Sequence, residues 1–221
     1  MNTQTPFRRL VLRAVLRNVS PMVIRVLAVP DYLDLPSFDE VFRTILGWDG
    51  LGYIFRVHGQ EFNSFRRRNK SKRLREFQLR PQEKFLYTCG AIDLWEWELR
   101  LLDQEDGADG DKVPICLAGR GAAPPEYCGG PTGYRLMLKR QREGKSMCTP
   151  AQVEMVIGML SAADPDQPTD TWDLLRQTVD KGYKSIDQRL EQYGPLEPQR
   201  FSLKEANQGL AKLVERGRFR A

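Results

Sequence analysis

The stretch V-P-I-C-L-A-G-R-G-A-A-P-P-E-Y-C-G-G-P-T-G-Y, Val113 to Tyr134, holds five glycines, four prolines and two cysteines. Proline fixes φ and removes a backbone donor, and glycine supplies positive φ, so this composition predicts one irregular, rigid path and not a helix or an ordinary strand. Irregular segments on a firm scaffold commonly carry binding groups. The stretch ends as a helix start, because Gly129 and Gly130 lead into Pro131, which suits a first helical turn. Backbone N–H groups at such a turn, backed by the helix dipole, make a candidate anion site of Glu126, Cys128, Gly129, Gly130 and Gly133. The plainer reading is a structural loop closing one edge of a sheet.

Toward the N-terminus, Arg8–Arg17 alternates loosely between apolar and basic residues. A β-branched run, Met22–Val29, follows Ser20-Pro21 and stops at Pro30. Two such runs joined by a short turn predict antiparallel strands with their arginines on the solvated face. Ser37 and Glu40 are spaced as a capping box, and Phe38, Val41, Phe42 and Ile45 continue at helical spacing up to Gly47. Gly52–Val57 reads as a strand closed by His58-Gly59. Lys84–Cys89 is another, and in Leu94–Leu102 the alternation of Trp95, Trp97 and Leu99 with Glu96, Glu98 and Arg100 marks a half-buried strand. Asp103–Asp111 reads as an acidic hairpin-type loop without the ligand spacing of an EF-hand.

Toward the C-terminus the pattern turns helical. Tyr134–Glu143 is basic and helical, Thr149-Pro150 opens a further helix, Trp172–Tyr193 is a long amphipathic one, and Ser202 with Glu205 caps the last. Strands with one early helix, followed by helices only, predict an α+β fold: a mixed or antiparallel sheet, the early helix packed on it, and a helical C-terminal part. The expected organisation is a core of residues 1–138, with a basic loop at 64–76 and the Gly/Pro-rich segment at 113–134, and a helical extension of 139–221 packed on it.

Residues 66–75, RRRNKSKRLR, contain seven basic side chains and no acid: Arg66, Arg67, Arg68, Lys70, Lys72, Arg73 and Arg75. Such a block repels itself and reads as a solvated loop. It is also the strongest nucleic-acid feature of the chain, since each phosphate it neutralises releases counterions. Phe62, Phe65 and Phe77 flank it, either as stacking platforms for unpaired bases or as anchors returning the loop to the core. A formal charge of +5 and a pI near 9.1 are compatible with a DNA or RNA partner. A hydrophobic content of 41% supports a core, and no run of eighteen apolar residues predicts a membrane span. Leu10–Leu16 is interrupted by Arg13 and lacks a signal-peptide pattern, so the expected address is cytoplasmic.

Cys89, Cys116, Cys128 and Cys148 show no paired spacing and only one histidine, His58, accompanies them, so buried thiols are expected in place of a metal or disulfide set. Gly119-Arg120-Gly121 lacks the third glycine and the βαβ context of a dinucleotide fingerprint. Asp93, Glu96, Glu98 and Glu126 are the acids from which a divalent-metal site would have to be built, unless Glu126 only holds backbone N–H groups. No catalytic residue, metal ligand or cofactor is assigned from the sequence.

The segments SPMVIRVLAVP, a helix ending in Gly47-Trp48, Phe55-Arg56-Val57-His58-Gly59, the specific run PPE-x-CGG-x-x-GY and the closing PQRFSLKEANQGLAKL together resemble the Ri-plasmid Orf-three-like family. That family is also described as the passenger, or TnpR-like, protein of some bacterial insertion elements. The resemblance implies a small α+β domain of unestablished function. It also marks departures: Gly52 and Trp97 stand where relatives carry histidines, Thr88 stands at an acid, and Ala91-Ile92-Asp93 suggests a short insertion near a second acid. The basic block and the resemblance together imply a non-enzymatic, plasmid- or mobile-element-associated protein that touches nucleic acid through its basic loop. The alternatives are a protein–protein adaptor using the C-terminal helices, and a metal-dependent nuclease or hydrolase using Glu126 and nearby acids.

Overall fold

The computed structural model describes residues 6–50, 52–64, 72–90, 93–108, 111–143 and 187–216, with six scattered positions between 158 and 181. Arg66–Lys70, Cys148, the helix expected after Thr149 and most of that expected over Trp172–Tyr193 lie outside the described residues. By its contacts the chain divides into two units, residues 1–131 with 197–221, and residues 132–196.

The first unit is built on one antiparallel sheet of seven strands: β1 (Arg8–Leu16), β2 (Ile24–Pro30), β3 (Tyr53–Val57), β4 (Gln60–Asn63), β5 (Lys84–Cys89), β6 (Trp95–Asp106) and β7 (Ile115–Arg120). Their order across the sheet is β4-β3-β5-β6-β1-β2-β7. The fold class is α+β. Alternation sorts the two faces: Leu10, Leu12, Ala14 and Leu16 of β1 and Trp95, Trp97, Leu99 and Leu101 of β6 are buried together. The opposite face is a lattice of charges, with Arg17 and Arg56 on Glu96 (2.6 and 3.7 Å) and Lys84 on Glu98 (2.8 Å).

The apolar face is covered by α1 (Leu35–Leu46). Phe38, Val41 and Phe42 are fully buried, and the two phenylalanine rings meet Phe55, Tyr87 and Trp97 at 5.0–6.2 Å, mostly edge to face. Each such side chain contributes about 1.5–3 kcal/mol by leaving water. The helix is capped three residues before the expected Ser37 and begins at Leu35. Asp34 is the cap and accepts the Ser37 N–H at 2.9 Å, with Pro36 inside the first turn. Gly47, at φ +71°, ends the helix in a Schellman pair: its own N–H reaches Thr44 O, and Trp48 N–H reaches Arg43 O at 3.1 Å.

The structure departs from three further expectations. Residues Ile115–Arg120 of the Gly/Pro-rich stretch form a strand, bulged at Leu117, because their main chain completes the ladder of β2. The acidic run does not begin a loop at Asp103: β6 continues to Asp106, its acids lying across from the arginines of β1, with Arg9 and Glu105 paired at 2.7 Å. Arg25 of β2 is not solvated but 2% exposed, in phase with buried Val23, Leu27 and Val29.

The last helix, α3 (Leu203–Glu215), belongs with the sheet unit, and α2 (Gly130–Glu143) leads out of it. Ser202 caps α3 by accepting the Glu205 N–H at 3.2 Å, as expected, and Ala206, Leu210 and Leu213 form its buried stripe. The Asn207 side chain lies against the free edge of β7, where its Oδ1 accepts Cys116 N–H (2.8 Å) and its Nδ2 donates to Cys116 O (2.9 Å). One amide thereby stands in for a neighbouring strand and blunts the sheet edge. In the second unit residues 187–193 are helical, and Arg140 makes a two-point pair with Asp187 at 2.8 and 3.0 Å.

Candidate functional site: the elbow and the basic face

The Schellman end of α1 delivers Trp48 to the segment that follows β7, an elbow running from Gly121 to Gly129. Trp48 Nε1 donates to Pro124 O at 2.8 Å, and Trp95, from the start of β6, donates its Nε1 to Glu126 O at 2.9 Å. The two indoles lie 5.6 Å apart. The Glu126 carboxylate, 7% exposed, accepts the N–H of Asp49 (2.9 Å) and of Gly50 (2.9 and 3.0 Å). Gly50 is required there because a Cβ would stand 2.0 Å from Glu126 Oε1.

The glycine turn is likewise occupied from within. Gly129 and Gly130 are at φ +92° and +66°, and Gly129 N–H donates to Asp93 Oδ2 at 2.7 Å. The carboxylate of Asp93 thus sits where a bound anion would, a short way before the start of α2. Cys128 is fully buried, its Sγ turned to Gly130 O, and Gly133 is a buried helical residue of α2. Asp93 and Glu126 come to the same elbow, whereas Glu96 and Glu98 project from the opposite face of the sheet into ion pairs. Among the described residues no three of His, Cys, Asp or Glu are grouped to hold a metal ion.

Beneath α1 lies a buried polar cluster that no spacing in the sequence singles out, although Asp39 and Arg43 are four residues apart on the helix. Asp39 is 3% exposed; it accepts from Tyr87 Oη at 2.5 Å and pairs with Arg43 at 2.9 Å. Burial holds its carboxyl above the usual aspartate value, against the pull of Tyr87 and Arg43. Burial likewise raises the Cys89 thiol well out of its ordinary range.

The described end of the basic block is moored to the residues that precede α1. Leu35 N–H reaches Lys72 O (3.0 Å), Leu74 N–H reaches Leu33 O (2.9 Å) and Arg75 N–H reaches Asp31 O (2.8 Å), after which Leu74–Phe77 makes a 3₁₀ turn. Phe62 and Phe77 are buried against each other at 5.1 Å, with Lys72 over both rings. These two phenylalanines are anchors and not open stacking platforms. Lys72 is turned inward, Arg73 donates its N–H to Glu76, and Arg75 is exposed. Arg75 meets two arginines that lie outside the block in sequence. Arg8, Arg75 and Arg80 rim a groove of about 400 Å³ floored by Leu10, Leu74 and Leu79. Asp31 lines the same groove, its Oδ1 buried and without a hydrogen-bond partner. None of the three arginines is in an ion pair among the described residues.

A seven-stranded antiparallel sheet with a helix on one face, and an elbow latched by two indoles and a carboxylate, places the chain in a class of small α+β proteins. Within that class it belongs to the plasmid pRiA4b ORF-3-like proteins, whose family model matches residues 8–166. Among solved structures it is similar to a protein of unknown function from Methanosarcina mazei Go1. That likeness has 18% identity and a TM-score of 0.64, and it covers 91% of this chain and 97% of the other. It shows the fold alone. No curated protein matches the chain.

Proposed function

We propose that this is a non-enzymatic protein of a plasmid or mobile element that acts in the cytoplasm by binding single-stranded DNA or RNA along its basic face. The observation that carries the reading is the convergence of Arg8, Arg75 and Arg80, none of them neutralised by a paired acid among the described residues, on one groove with an apolar floor. Phosphates suit the arginine rim, and an unstacked base suits the leucine floor, with the unpartnered Asp31 oxygen as an acceptor for an exocyclic amine. Arg66, Arg67, Arg68 and Lys70 extend the same basic run in sequence.

The acids argue for holding over cutting. Glu126 is committed to two backbone N–H groups and Asp93 to a third, so neither is spare to ligate a divalent ion, while Glu96 and Glu98 face away. The test is fluorescence anisotropy of labelled oligonucleotides against the full chain. Single strands are expected to bind more tightly than duplex, and Arg66, Arg67 and Arg68 changed together to Gln weaken binding to all sequences alike. Arg8→Gln/Arg80→Gln, which strips the groove itself, is expected to weaken it further, and wild-type binding by both variants would remove the reading.

A further inference from the structure

We propose a second, separate site: a pocket for a phosphate-type oxyanion between Arg25 and the N-terminus of α3. Arg25 is a cation buried to 2% exposure in a sheet otherwise apolar on that face. Burying a charge is costly unless it is paired, and among the described residues no carboxylate pairs with this one. Its Nη1 is held by three main-chain carbonyls, Ile24 O at 2.7 Å, Gly121 O at 2.9 Å and Arg120 O at 3.2 Å. The ring of Phe201 covers the guanidinium at 4.1 Å. Phe201 comes that close because Gly119, across the ladder from Arg25, has no Cβ; one would stand 2.4 Å from the ring. Nε is left buried without a partner.

Arg25 lines a cavity of about 320 Å³ whose other walls include Arg200, Phe201, Ser202, Ala122 and Ala123. The helix start adds a second source of positive potential to the same cavity, and an anion between the two would balance the buried cation. The thirteen-residue helix α3 begins at Leu203 with Ser202 as its cap, and the Ser202 hydroxyl takes only the Glu205 N–H. The helix dipole favours an anion at this end. Arg200, largely exposed and only loosely paired with Glu197 at 3.4 Å, stands at the mouth. The Arg25 and Arg200 guanidiniums and the Ser202-capped helix end line one cavity, a donor-rich setting that suits a phosphate-type oxyanion. Glu205 is the acid on the cavity wall, and it is exposed. The pocket is lined by residues other than those of the Arg8–Arg75–Arg80 groove, so it stands or falls independently of nucleic-acid binding there.

The experiment is calorimetric titration of the full chain with inorganic phosphate, and with acetate as the planar control. Saturable binding of one phosphate per chain is expected, tighter than acetate. Ala123→Leu, which fills the cavity from a half-buried position, and Arg200→Gln each weaken it about fivefold or more. Glu205→Gln, which removes the opposing charge but keeps the backbone N–H that Ser202 holds, tightens it about twofold. Thermal melts establish that the three variants remain folded. A second arm compares 5′-phosphorylated with 5′-hydroxyl oligonucleotides. A preference for the phosphorylated strand that Ala123→Leu erases would identify a nucleic-acid end as the source, and equal binding would identify a free phosphate compound. No saturable phosphate binding, or equal affinity in Ala123→Leu and Arg200→Gln, would overturn the site and leave Arg25 as a tie between β2 and the elbow.

Discussion

The Glu126 carboxylate holds the backbone N–H groups of Asp49 and Gly50 at 2.9 Å, clamping the elbow after β7 to the turn after α1. Hydrogen bonds to a buried charged acceptor are the stronger kind, and their loss also strands the donors. Glu126→Ala is expected to cost about 2–4 kcal/mol in urea unfolding. Gly50→Ala should cost a similar amount by a different route, since its Cβ displaces the same carboxylate. The double variant should then cost little more than either alone, because both break one latch. Additive losses would contradict the latch.

Asn207 gives a second prediction. Its amide is the cover on the β7 edge, so Asn207→Ala removes two main-chain bonds and exposes a strand edge. Stability should fall by about 1–2 kcal/mol. Association that grows with protein concentration should appear in sedimentation velocity, as uncovered edges pair. A monomeric, equally stable variant would show that α3 covers the edge by packing alone.

Asp39 predicts a pH dependence with a definite sign. Burial raises its folded carboxyl above the ordinary value of 3.8, so the folded chain holds the proton longer than the unfolded one. The contribution is complete below 3.8 and is lost as pH rises through the raised folded value. In urea melts from acid to neutral pH, wild type should therefore lose stability relative to Asp39→Asn across that interval and run parallel above it. The opposite slope would mean that the pair with Arg43 outweighs burial.

Cys89, Cys116 and Cys128 are buried, and burial holds the thiols of Cys89 and Cys116 protonated. Mass-mapped alkylation of the native protein at mildly alkaline pH should spare all three and modify them only in denaturant. Modification of Cys89 in the native chain would be incompatible with its place beside Tyr87 and Trp95.

Much of the sheet is legible in the sequence because β6 alternates cleanly and β1 and β5 are short apolar runs bounded by turn residues, and the helix starts at Ser202 and Pro131 follow local chemistry that needs no partner. Alternation misplaces Arg25 for a physical reason: Ile24, Val26 and Ala28 are as apolar as Val23, Leu27 and Val29, so the pattern in β2 does not say which side the arginine takes. Asp34 escapes notice as a cap because Ser37 and Glu40 offer the same spacing three residues later, and only the geometry of Leu35-Pro36 decides between them. Ile115–Arg120 reads as irregular by composition, yet an edge strand tolerates glycine and a bulge once a neighbour supplies the ladder. For the candidate site, Glu126 and the basic block stand out in the sequence. Of their partners, Gly50 and Arg8 are distant along the chain, and Arg80, just past the block, carries no local mark.

If Arg8, Arg75 and Arg80 neutralise phosphates along one groove, the salt dependence of oligonucleotide affinity must report it, for wild type and for Arg8→Gln/Arg80→Gln. For a single strand each lost phosphate contact flattens the log–log slope by about 0.7. The double variant should therefore bind more weakly and show a slope shallower by roughly 1.4. An unchanged slope in the double variant, or wild-type affinity indifferent to salt, would show that the groove does not hold phosphates.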